Sequence, residues 1–453
     1  MLSFTAPEDM TFQSWSAHQD PPPAFSSHEE DGEGVLAIAA GNHPSGYAKW
    51  VSSKLSVRGK EAWAFSVEYR ATEVAFESRS VYFLLTWTDD AGKQVQRNYV
   101  DGVTTTADGW RVLQGTYPVP VGAVAVHFDL ALRFCPGGSV RFRRLRMLPV
   151  ALPNRTVRVG TAYMTSRRTF EGNVERMLQL VDKAGRLLKP DILCFTETVA
   201  STLTGLSRKE LSQPIPGPLT ELFSARAREH GMYIILPMHE VENGLFYNTA
   251  LLLGRQGEII GKYRKTHITL REGESGATPG DSYPVFDLDF GRVGIMICWD
   301  QMFPEVARML RLGGAEIIFL PSYGDEPLQQ RARARDNGIP VVVSGLHEPK
   351  TSRIIDSLGE IIGEVQDEEE GICVREIDLA RRQYTYHLSF GPCLSNSGST
   401  FMRERHVGTY DLINADGLLP APPANTKPTS FLVRTSTSTA PVAQCCTTEE
   451  KKD

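Results

Sequence analysis

The chain of 453 residues lacks several features that would assign it to a common functional class. There is no CxxC pair among its 7 cysteines and no HExxH or HxH pattern among its 10 histidines, so we expect neither a disulfide framework nor a protein-built metal site. No apolar run approaches the roughly 18 residues that span a bilayer. The N-terminus shows no basic segment followed by an apolar stretch. These absences predict a cytoplasmic protein without a membrane partner.

The charge distribution excludes another class of partner. The sequence has 48 Lys and Arg against 54 Asp and Glu, a net charge of -6, and no long basic block. Because nucleic-acid binding requires a basic surface that neutralises phosphates, DNA and RNA are not expected as partners. The 41% hydrophobic and 23% charged fractions are typical of a globular protein, and the length favours two domains.

The first part of the chain has the pattern of an all-β domain. Residues 1–45 are rich in Pro, Ser, Asp and Glu and predict a flexible or loosely packed lead-in. From 46 to 148, apolar and polar residues alternate over short runs that turn signals such as DDAGK and CPGG separate. This pattern predicts an antiparallel β-sandwich.

A different pattern follows a short linker predicted at 149–155. Over residues 156–412, short apolar segments alternate with segments of helical spacing, which predicts an α/β domain. Residues 413–453 are rich in Pro, Thr, Ser and Ala, and we expect a flexible C-terminal tail.

Three residues of the predicted α/β domain are candidates for chemistry because each falls at or just beyond the end of an apolar strand. These are Glu197 in KPDILCFTET, Lys265 in GKYRKTHI and Cys298 in GIMICWDQMFPE. A carboxylate can take a thiol proton, a lysine can hold developing negative charge, and a thiol can attack an electrophilic carbon. Each residue also has a structural alternative: a cap, a solvated charge and a buried cysteine, respectively.

The three segments together resemble the three signatures of the nitrilase or carbon–nitrogen hydrolase superfamily and follow one another in the same order as in that family. The resemblance covers about residues 155–412. Thr196 stands where the family usually has proline before the glutamate. The resemblance implies a four-layer αββα sandwich that works without a metal or an organic cofactor. It also implies that Glu197 is the general base, that Lys265 supports the tetrahedral intermediate and that Cys298 forms a thioester.

Further site residues follow from the same resemblance. The backbone N–H of Trp299 would complete an oxyanion hole, and a second glutamate, Glu272 in preference to Glu274, would position the substrate or assist proton transfer. We predict that Glu240 and Tyr323 bind substrate, because they lie in segments expected to surround the site.

A papain-like protease is a further alternative, and it would require a histidine placed to activate the thiol. His239 and His267 lie near the presumed active-site strands, but we interpret both as structural histidines. Lysine and glutamate occupy the motif positions instead.

The β-sandwich segment resembles the galactose-binding-like jelly rolls found in carbohydrate-binding modules, through DGWRVLQGTYPVPVGAVAVHFDLALR and GGSVRFRRLRML. Exposed tryptophans stacking on sugars would make it a carbohydrate-binding domain. The alternative, which we favour, is that the tryptophans fill the core and the domain packs on the hydrolase.

The resemblance favours an enzyme that cleaves a non-peptide C–N bond of a small amide or N-carbamoyl compound. A nitrilase is the second hypothesis, and a non-catalytic protein that binds a glycan or a protein partner is the third. Members of the superfamily pair their αββα sandwiches, so we expect a homodimer or a larger homo-oligomer.

Overall fold

The computed structural model describes residues 10–17, 21–367, 369–380, 382–391 and 393–415. Up to His406 the chain forms one compact unit, which contains a β-sandwich and an α/β sandwich. Residues from Val407 form a second unit, of which two 3₁₀ turns are described, Val407–Thr409 and Asp411–Asn414. The tail predicted at 413–453 lies outside the described residues beyond position 415.

The β-sandwich begins earlier in the chain than predicted. Its strands are β1 (Phe12–Ser16), β2 (Ala24–Glu30), β3 (Glu33–Ala39), β4 (Tyr47–Ser52), β5 (Leu55–Ser56), β6 (Ala62–Thr72), β7 (Val81–Thr88), β8 (Gln94–Tyr99), β9 (Gly102–Thr105), β10 (Arg111–Pro118), β11 (Ala125–Arg133) and β12 (Ser139–Val150), with one short helix, α1 (Glu77–Ser80). One sheet has the order β2-β3-β12-β6-β10-β9, and the other includes β1-β4-β11-β7-β8.

The predicted loosely packed lead-in is corrected by strands β1 to β3. β3 pairs with β12 and buries Ile38 in the core between the sheets. β2 lies at the sheet edge, where most of its side chains remain exposed. An edge strand with exposed polar side chains has little hydrophobic periodicity, which explains why its sequence resembles a loop.

Most tryptophans of the β-sandwich are buried. Trp50, Trp63, Trp87 and Trp110 are at most 9% exposed, and only Trp15 among the five has a large exposed fraction, 44%. Trp50, Trp63 and Trp87 lie in the core between the sheets, which agrees with the interpretation that the tryptophans stabilise the sandwich. Trp110 is covered by the Arg143 guanidinium instead.

The α/β part of the unit contains two further six-stranded sheets. Its strands are β13 (Thr156–Met164), β14 (Ile192–Cys194), β15 (Tyr233–Glu242), β16 (Leu245–Leu253), β17 (Ile259–Arg264), β18 (Val285–Asp287), β19 (Arg292–Ile295), β20 (Ile317–Ser322), β21 (Val341–Gly345), β22 (Arg353–Ile355), β23 (Ile361–Glu364) and β24 (Glu370–Asp378). Its α-helices are α2 (Phe170–Lys183), α3 (Arg208–Leu211), α4 (Pro218–His230), α5 (Leu270–Glu274), α6 (Pro304–Leu312) and α7 (Pro327–Asn337). Short 3₁₀ turns span Val199–Ser201, Cys298–Met302 and Pro349–Thr351, and a π-helical turn spans Ala184–Leu188.

These elements form four layers. The sheets β17-β16-β15-β14-β13-β24 and β18-β19-β20-β21-β22-β23 share one apolar core between their inner faces. Helices α2 and α4 pack on the outer face of the first sheet, and α6 and α7 pack on the outer face of the second. The result is an αββα sandwich. No helix in the described ranges is both long and apolar enough to cross a membrane.

The chain returns to the β-sandwich after β24, which differs from the predicted domain boundary at 412. Strands β25 (Thr385–Tyr386) and β26 (Leu394–Ser395) extend its second sheet, where β26 pairs with β8. A 3₁₀ turn, Leu388–Phe390, and helix α8 (Ser397–Arg403) accompany them. The guanidinium of Arg403 donates to the carbonyl oxygen of Val100 at 3.0 Å.

A partly buried ion pair fixes this return. Arg382 donates to Asp101 at 2.7 Å, and their side chains are 30% and 15% exposed. Burial alone would raise the pKa of the Asp101 carboxyl, but Arg382 outweighs burial and lowers this pKa below its usual value.

We predict that Asp101→Asn lowers the free energy of unfolding by about 2 kcal/mol, because it leaves the partly buried Arg382 without its charged partner. The folded-state pKa of Asp101 is lowered, so its stabilisation is present above the unfolded value of 3.8 and disappears as the pH falls through the folded value. Urea unfolding at neutral and acidic pH measures both effects. Asp287→Asn, which removes an exposed pair with Arg292, is the matched control and should change the free energy by less than about 0.5 kcal/mol. Equal losses in the two variants would contradict the assignment.

Candidate active site

Three strand ends of the αββα sandwich meet at one place. Glu197 follows β14, Lys265 follows β17 and Cys298 follows β19, so two side chains come from one sheet and the thiol comes from the other. The Glu197 carboxylate lies within hydrogen-bond reach of both the Lys265 ammonium and the Cys298 thiol. The structure therefore brings together the three residues on which the sequence hypothesis rests.

Lys265 is the charged centre of the cluster. Its Nζ donates to Glu197 Oε1 at 2.9 Å and to Glu272 Oε2 at 2.8 Å, and the side chain is only 1% exposed. Burial lowers the pKa of this ammonium, but the negative charges of the Glu197 and Glu272 carboxylates outweigh burial and raise the pKa above its usual value. Lys265 is therefore a permanent cation at neutral pH.

Asn248 is a site residue that the sequence analysis did not identify. It lies on β16, and its Nδ2 donates to Glu197 and to Glu272 at 2.8 Å each. One amide thus orients both carboxylates around the lysine. Asn248 lies within β16 and not at a strand end, so the pattern that indicated Glu197, Lys265 and Cys298 could not identify it.

Glu272, rather than Glu274, faces the lysine. It is the third residue of α5, where Thr269 and Glu272 form a reciprocal capping box. Burial raises the pKa of its carboxyl, but Lys265 outweighs burial and the pKa falls to about 2. Glu272 is therefore ionised at neutral pH, whereas Glu274 is exposed to solvent.

The nucleophile candidate lies on a strained turn. Cys298 has φ 45°, in the left-handed region, and starts the 3₁₀ turn Cys298–Met302. Asp300 holds this turn, since its buried carboxylate accepts from the Ile297 N–H at 2.8 Å and from the Tyr263 hydroxyl at 2.7 Å. Among the described residues, the N–H of Trp299 has no acceptor, so it is available to a bound oxygen atom.

The Cys298 thiol is protonated in the free protein. Burial raises its pKa to about 12, and the neighbouring Glu197 carboxylate adds to this effect. Lys265 and the backbone of Gly324 lower the pKa, but by less. Attack by this sulfur atom therefore requires a base, and Glu197 is the group in contact with the thiol.

The prediction that Glu240 binds substrate is corrected by the structure. Glu240 is 1% exposed and is paired with Lys262 at 2.6 Å and with Arg264 at 3.0 Å. It follows His239 on β15, and side chains alternate between the faces of a strand. Glu240 therefore lies on the opposite face of the sheet from Asn248 and Lys265.

Tyr323 contributes to the site through its backbone. Its N–H donates to Glu197 Oε2 at 3.0 Å, while the side chain is 45% exposed. His267 stacks on Phe303, with 3.9 Å between the ring centroids, and its Nδ1 contacts Asp300 Oδ1. These two contacts give His267 a structural role. His239 contacts the guanidinium of Arg208 at 3.1 Å.

One group of metal-ligating side chains is found among the described residues, on the outer helices α2 and α4. It consists of Asp182, Glu229 and His230. The Asp182 carboxylate already accepts from His230 at 2.9 Å and lies 3.1 Å from the Arg226 guanidinium. This group is an ion-pair network on the helical layer.

An αββα sandwich with a cysteine, a lysine and a glutamate at its strand ends defines a class of candidate thiol hydrolases. A family model described as "Carbon-nitrogen hydrolase" matches residues 158–386, and the chain belongs to this family of enzymes. The match begins after the β-sandwich, which it leaves without an assigned family.

Three relatives illustrate the range of names in the family. The chain is 38% identical over 182 residues to a nitrilase of Pyrococcus abyssi, covering 38% of this chain and 69% of that protein. It is 35% identical over 185 residues to an N-carbamoylputrescine amidase of Arabidopsis thaliana, covering 34% and 62%. It is 34% identical over 197 residues to an omega-amidase of Xenopus laevis, covering 38% and 70%. The chain thus spans less than two thirds of the Arabidopsis protein.

We predict that Glu197→Gln lowers the pKa of the Cys298 thiol. The substitution removes a negative charge and a hydrogen bond that raise this pKa, while Lys265 remains. Ultraviolet absorbance of the thiolate, recorded against pH with the matching Cys298→Ala protein as background, measures the titration. A thiol that titrates at a lower pH in the wild type than in Glu197→Gln would contradict the electrostatic account.

Proposed function

We propose that the protein hydrolyses a non-peptide C–N bond of a small amide or N-carbamoyl compound through a thioester on Cys298. The single observation that carries the proposal is the Glu197 carboxylate, which contacts both a protonated thiol and a buried ammonium. The names of two relatives, an N-carbamoylputrescine amidase and an omega-amidase, support the choice of substrate class.

The first half of the reaction follows from the position of Glu197. Its carboxylate takes the proton from Cys298, and the sulfur forms a bond to the carbonyl carbon. The carbonyl electron pair moves to oxygen, where the Lys265 ammonium and the N–H of Trp299 stabilise the negative charge. When the C–N bond breaks, Glu197 returns the proton to nitrogen, and ammonia or an amine leaves.

The second half uses the same groups with water. Glu197 takes a proton from the water molecule, whose oxygen attacks the thioester carbon. The C–S bond then breaks, and the proton held by Glu197 passes to sulfur, which restores the thiol. Glu272 stays ionised throughout, and it holds the ammonium of Lys265 in place together with Asn248.

Hydrolysis of nitriles is the second candidate, and the name of the Pyrococcus abyssi relative favours it. A nitrile carbon also bears nitrogen and accepts the same thiol. The distinction depends on the substrate, so a panel of amides, N-carbamoyl compounds and nitriles, with ammonia release as the readout, separates the two.

The β-sandwich has a structural role in this proposal. Its jelly-roll or galactose-binding-like classification, carbohydrate binding and a homodimeric assembly stay predictions. Burial of four tryptophans supports a packing function, and strands β25 and β26 connect the sandwich to the hydrolase part.

Replacement of the nucleophile tests the proposal directly. Cys298→Ala and Glu197→Gln should lower kcat/KM by at least about 1,000-fold on the best substrate of the panel, because they remove the nucleophile and its base. Cys373→Ala, a buried cysteine on β24, should retain wild-type activity. Activity that survives in Cys298→Ala would contradict the thiol mechanism. If the wild type releases no ammonia from any compound of the panel, the non-catalytic alternative would be favoured.

Glu272, which lies on α5 and contacts Lys265, and Glu240, which lies on the opposite face of the sheet from Lys265, provide a matched comparison. Glu272→Gln should reduce kcat by about 100-fold, because Lys265 loses one of its two carboxylates beside the thiol. Glu240→Gln should reduce the free energy of unfolding by about 3 kcal/mol, since it disrupts a buried ion pair, with kcat unchanged. Steady-state kinetics and urea unfolding on both variants check the assignment. A loss of kcat in Glu240→Gln equal to that in Glu272→Gln would contradict it.

A further inference from the structure

A chain of hydrogen bonds between buried side chains runs from helix α7 to the turn that follows β20. Gln330 Nε2 donates to Gln301 Oε1 at 3.0 Å, and Gln301 Nε2 donates to Ser322 Oγ at 3.3 Å. The Ser322 hydroxyl then donates to the carbonyl oxygen of Gly324 at 2.7 Å. The three side chains of this hydrogen-bond chain are at most 2% exposed. Because buried polar groups that find partners make a structure rigid, the chain restrains the backbone at which it ends.

The backbone at the end of the hydrogen-bond chain contacts both the candidate base and the candidate nucleophile. The Tyr323 N–H donates to Glu197 Oε2 at 3.0 Å. The backbone of Gly324 lies within hydrogen-bond reach of the Cys298 sulfur, where it lowers the pKa of the thiol. Gly324 has no side chain, and the side chain of Tyr323 is 45% exposed, so packing alone holds this backbone weakly. Its position therefore depends on the polar groups that anchor it.

Helix α7 also holds the turn that carries the thiol. Gln301 belongs to the 3₁₀ turn that begins at Cys298. Arg333 lies three residues after Gln330, on the same face of α7, and its guanidinium donates to the carbonyl oxygens of Gln301 at 3.0 Å and of Met302 at 3.2 Å. Helix α7 therefore joins the thiol turn to the turn after β20.

A second anchor holds the far end of the same backbone. Arg353, on β22, is 5% exposed, and its Nη2 donates to Asp325 Oδ2 at 3.0 Å. Gln330 Nε2 also lies 3.4 Å from Asp325 Oδ1. The backbone of Tyr323 and Gly324 is thus fixed on one side by Ser322 and on the other by Asp325, and Gln330 contacts both anchors, directly or through Gln301.

We propose that Gln301 and Gln330 are positioning residues, which keep the Tyr323–Gly324 backbone aligned with Glu197 and Cys298 so that the base can take the thiol proton. A displacement of about 1 Å between reacting groups can cost about 100-fold in rate, which gives such an alignment its importance. This inference rests on the proposed hydrolase function and adds the groups that align its base and nucleophile. The competing explanation is that the two glutamines only stabilise the fold.

Kinetics of variants that keep the side-chain volume separate these explanations. Gln301→Met and Gln330→Met remove the amide groups at nearly constant volume. On the best substrate of the panel both should lower kcat, by about 100-fold for Gln301→Met, while KM changes by less than about twofold, because the reacting groups lose alignment and the binding surface stays. Ser322→Ala, which deletes a single hydroxyl, should change kcat in the same direction.

Gln96→Met in the β-sandwich is the matched control. Gln96 is also buried and donates to Asn98 at 2.9 Å, so its replacement breaks a comparable hydrogen bond far along the chain from the thiol. Urea unfolding should show that all four variants fold, and Gln96→Met should keep the wild-type kcat. A wild-type kcat in Gln301→Met and Gln330→Met, or an equal loss in Gln96→Met, would overturn the inference.

Titration of the thiol distinguishes failure of this inference from failure of the proposed function, because it requires no turnover. In the Glu197→Gln background, the Lys265 ammonium and the Gly324 backbone lower the pKa of the Cys298 thiol. Adding Gln301→Met should make the thiol titrate at a higher pH, since the Gly324 contact is lost, whereas adding Gln96→Met should not. If the wild type hydrolyses the panel and Gln301→Met changes neither kcat nor the titration, the inference fails and the hydrolase function stands. If the titration moves but the wild type cleaves nothing, the positioning role stands and the hydrolase function fails.

Discussion

The candidate site depends on a cation that is buried between two carboxylates. Removing an ammonium from water costs several kcal/mol, so Lys265 is tolerated only because Glu197 and Glu272 accept its hydrogen bonds and Asn248 holds both acids. The same arrangement leaves Glu197 with one oxygen for the lysine and one that faces the Tyr323 N–H. A carboxylate held in this way has little freedom to move, which keeps it in place beside the thiol.

The β-sandwich and the αββα sandwich constrain each other through the chain after β24. Two very short strands and helix α8 return to the second sheet of the β-sandwich, and the Arg382–Asp101 pair and the Arg403 guanidinium connect them to β8 and to the residues that follow it. Because these contacts belong to one compact unit, the N-terminal sandwich is an integral part of the fold. A β-sandwich held in this way stabilises the C-terminal end of the hydrolase part.

Much of this arrangement could be predicted from the sequence, and the exceptions have physical reasons. Apolar strands followed by polar residues predicted that Glu197, Lys265 and Cys298 lie at strand ends, and the structure brings them together. The prediction for Glu240 was wrong because the segment expected to surround the site is the strand β15, where neighbouring side chains face opposite sides of the sheet. β2 has no alternation because it is an exposed edge strand, and two-residue strands such as β25 are too short for any period. Asn248 was missed because it lies within β16, and its contacts with Glu197 and Glu272 depend on the fold.

The account rests on a covalent intermediate at Cys298, and intact-mass spectrometry tests it most directly. The enzyme would be mixed with an activated amide of a small acid and quenched in acid during turnover. The account predicts a mass increase equal to the acyl group, mapped by peptide analysis to Cys298 and absent from Cys298→Ala. Product formation without any adduct, or an adduct on another residue, would contradict the thioester mechanism.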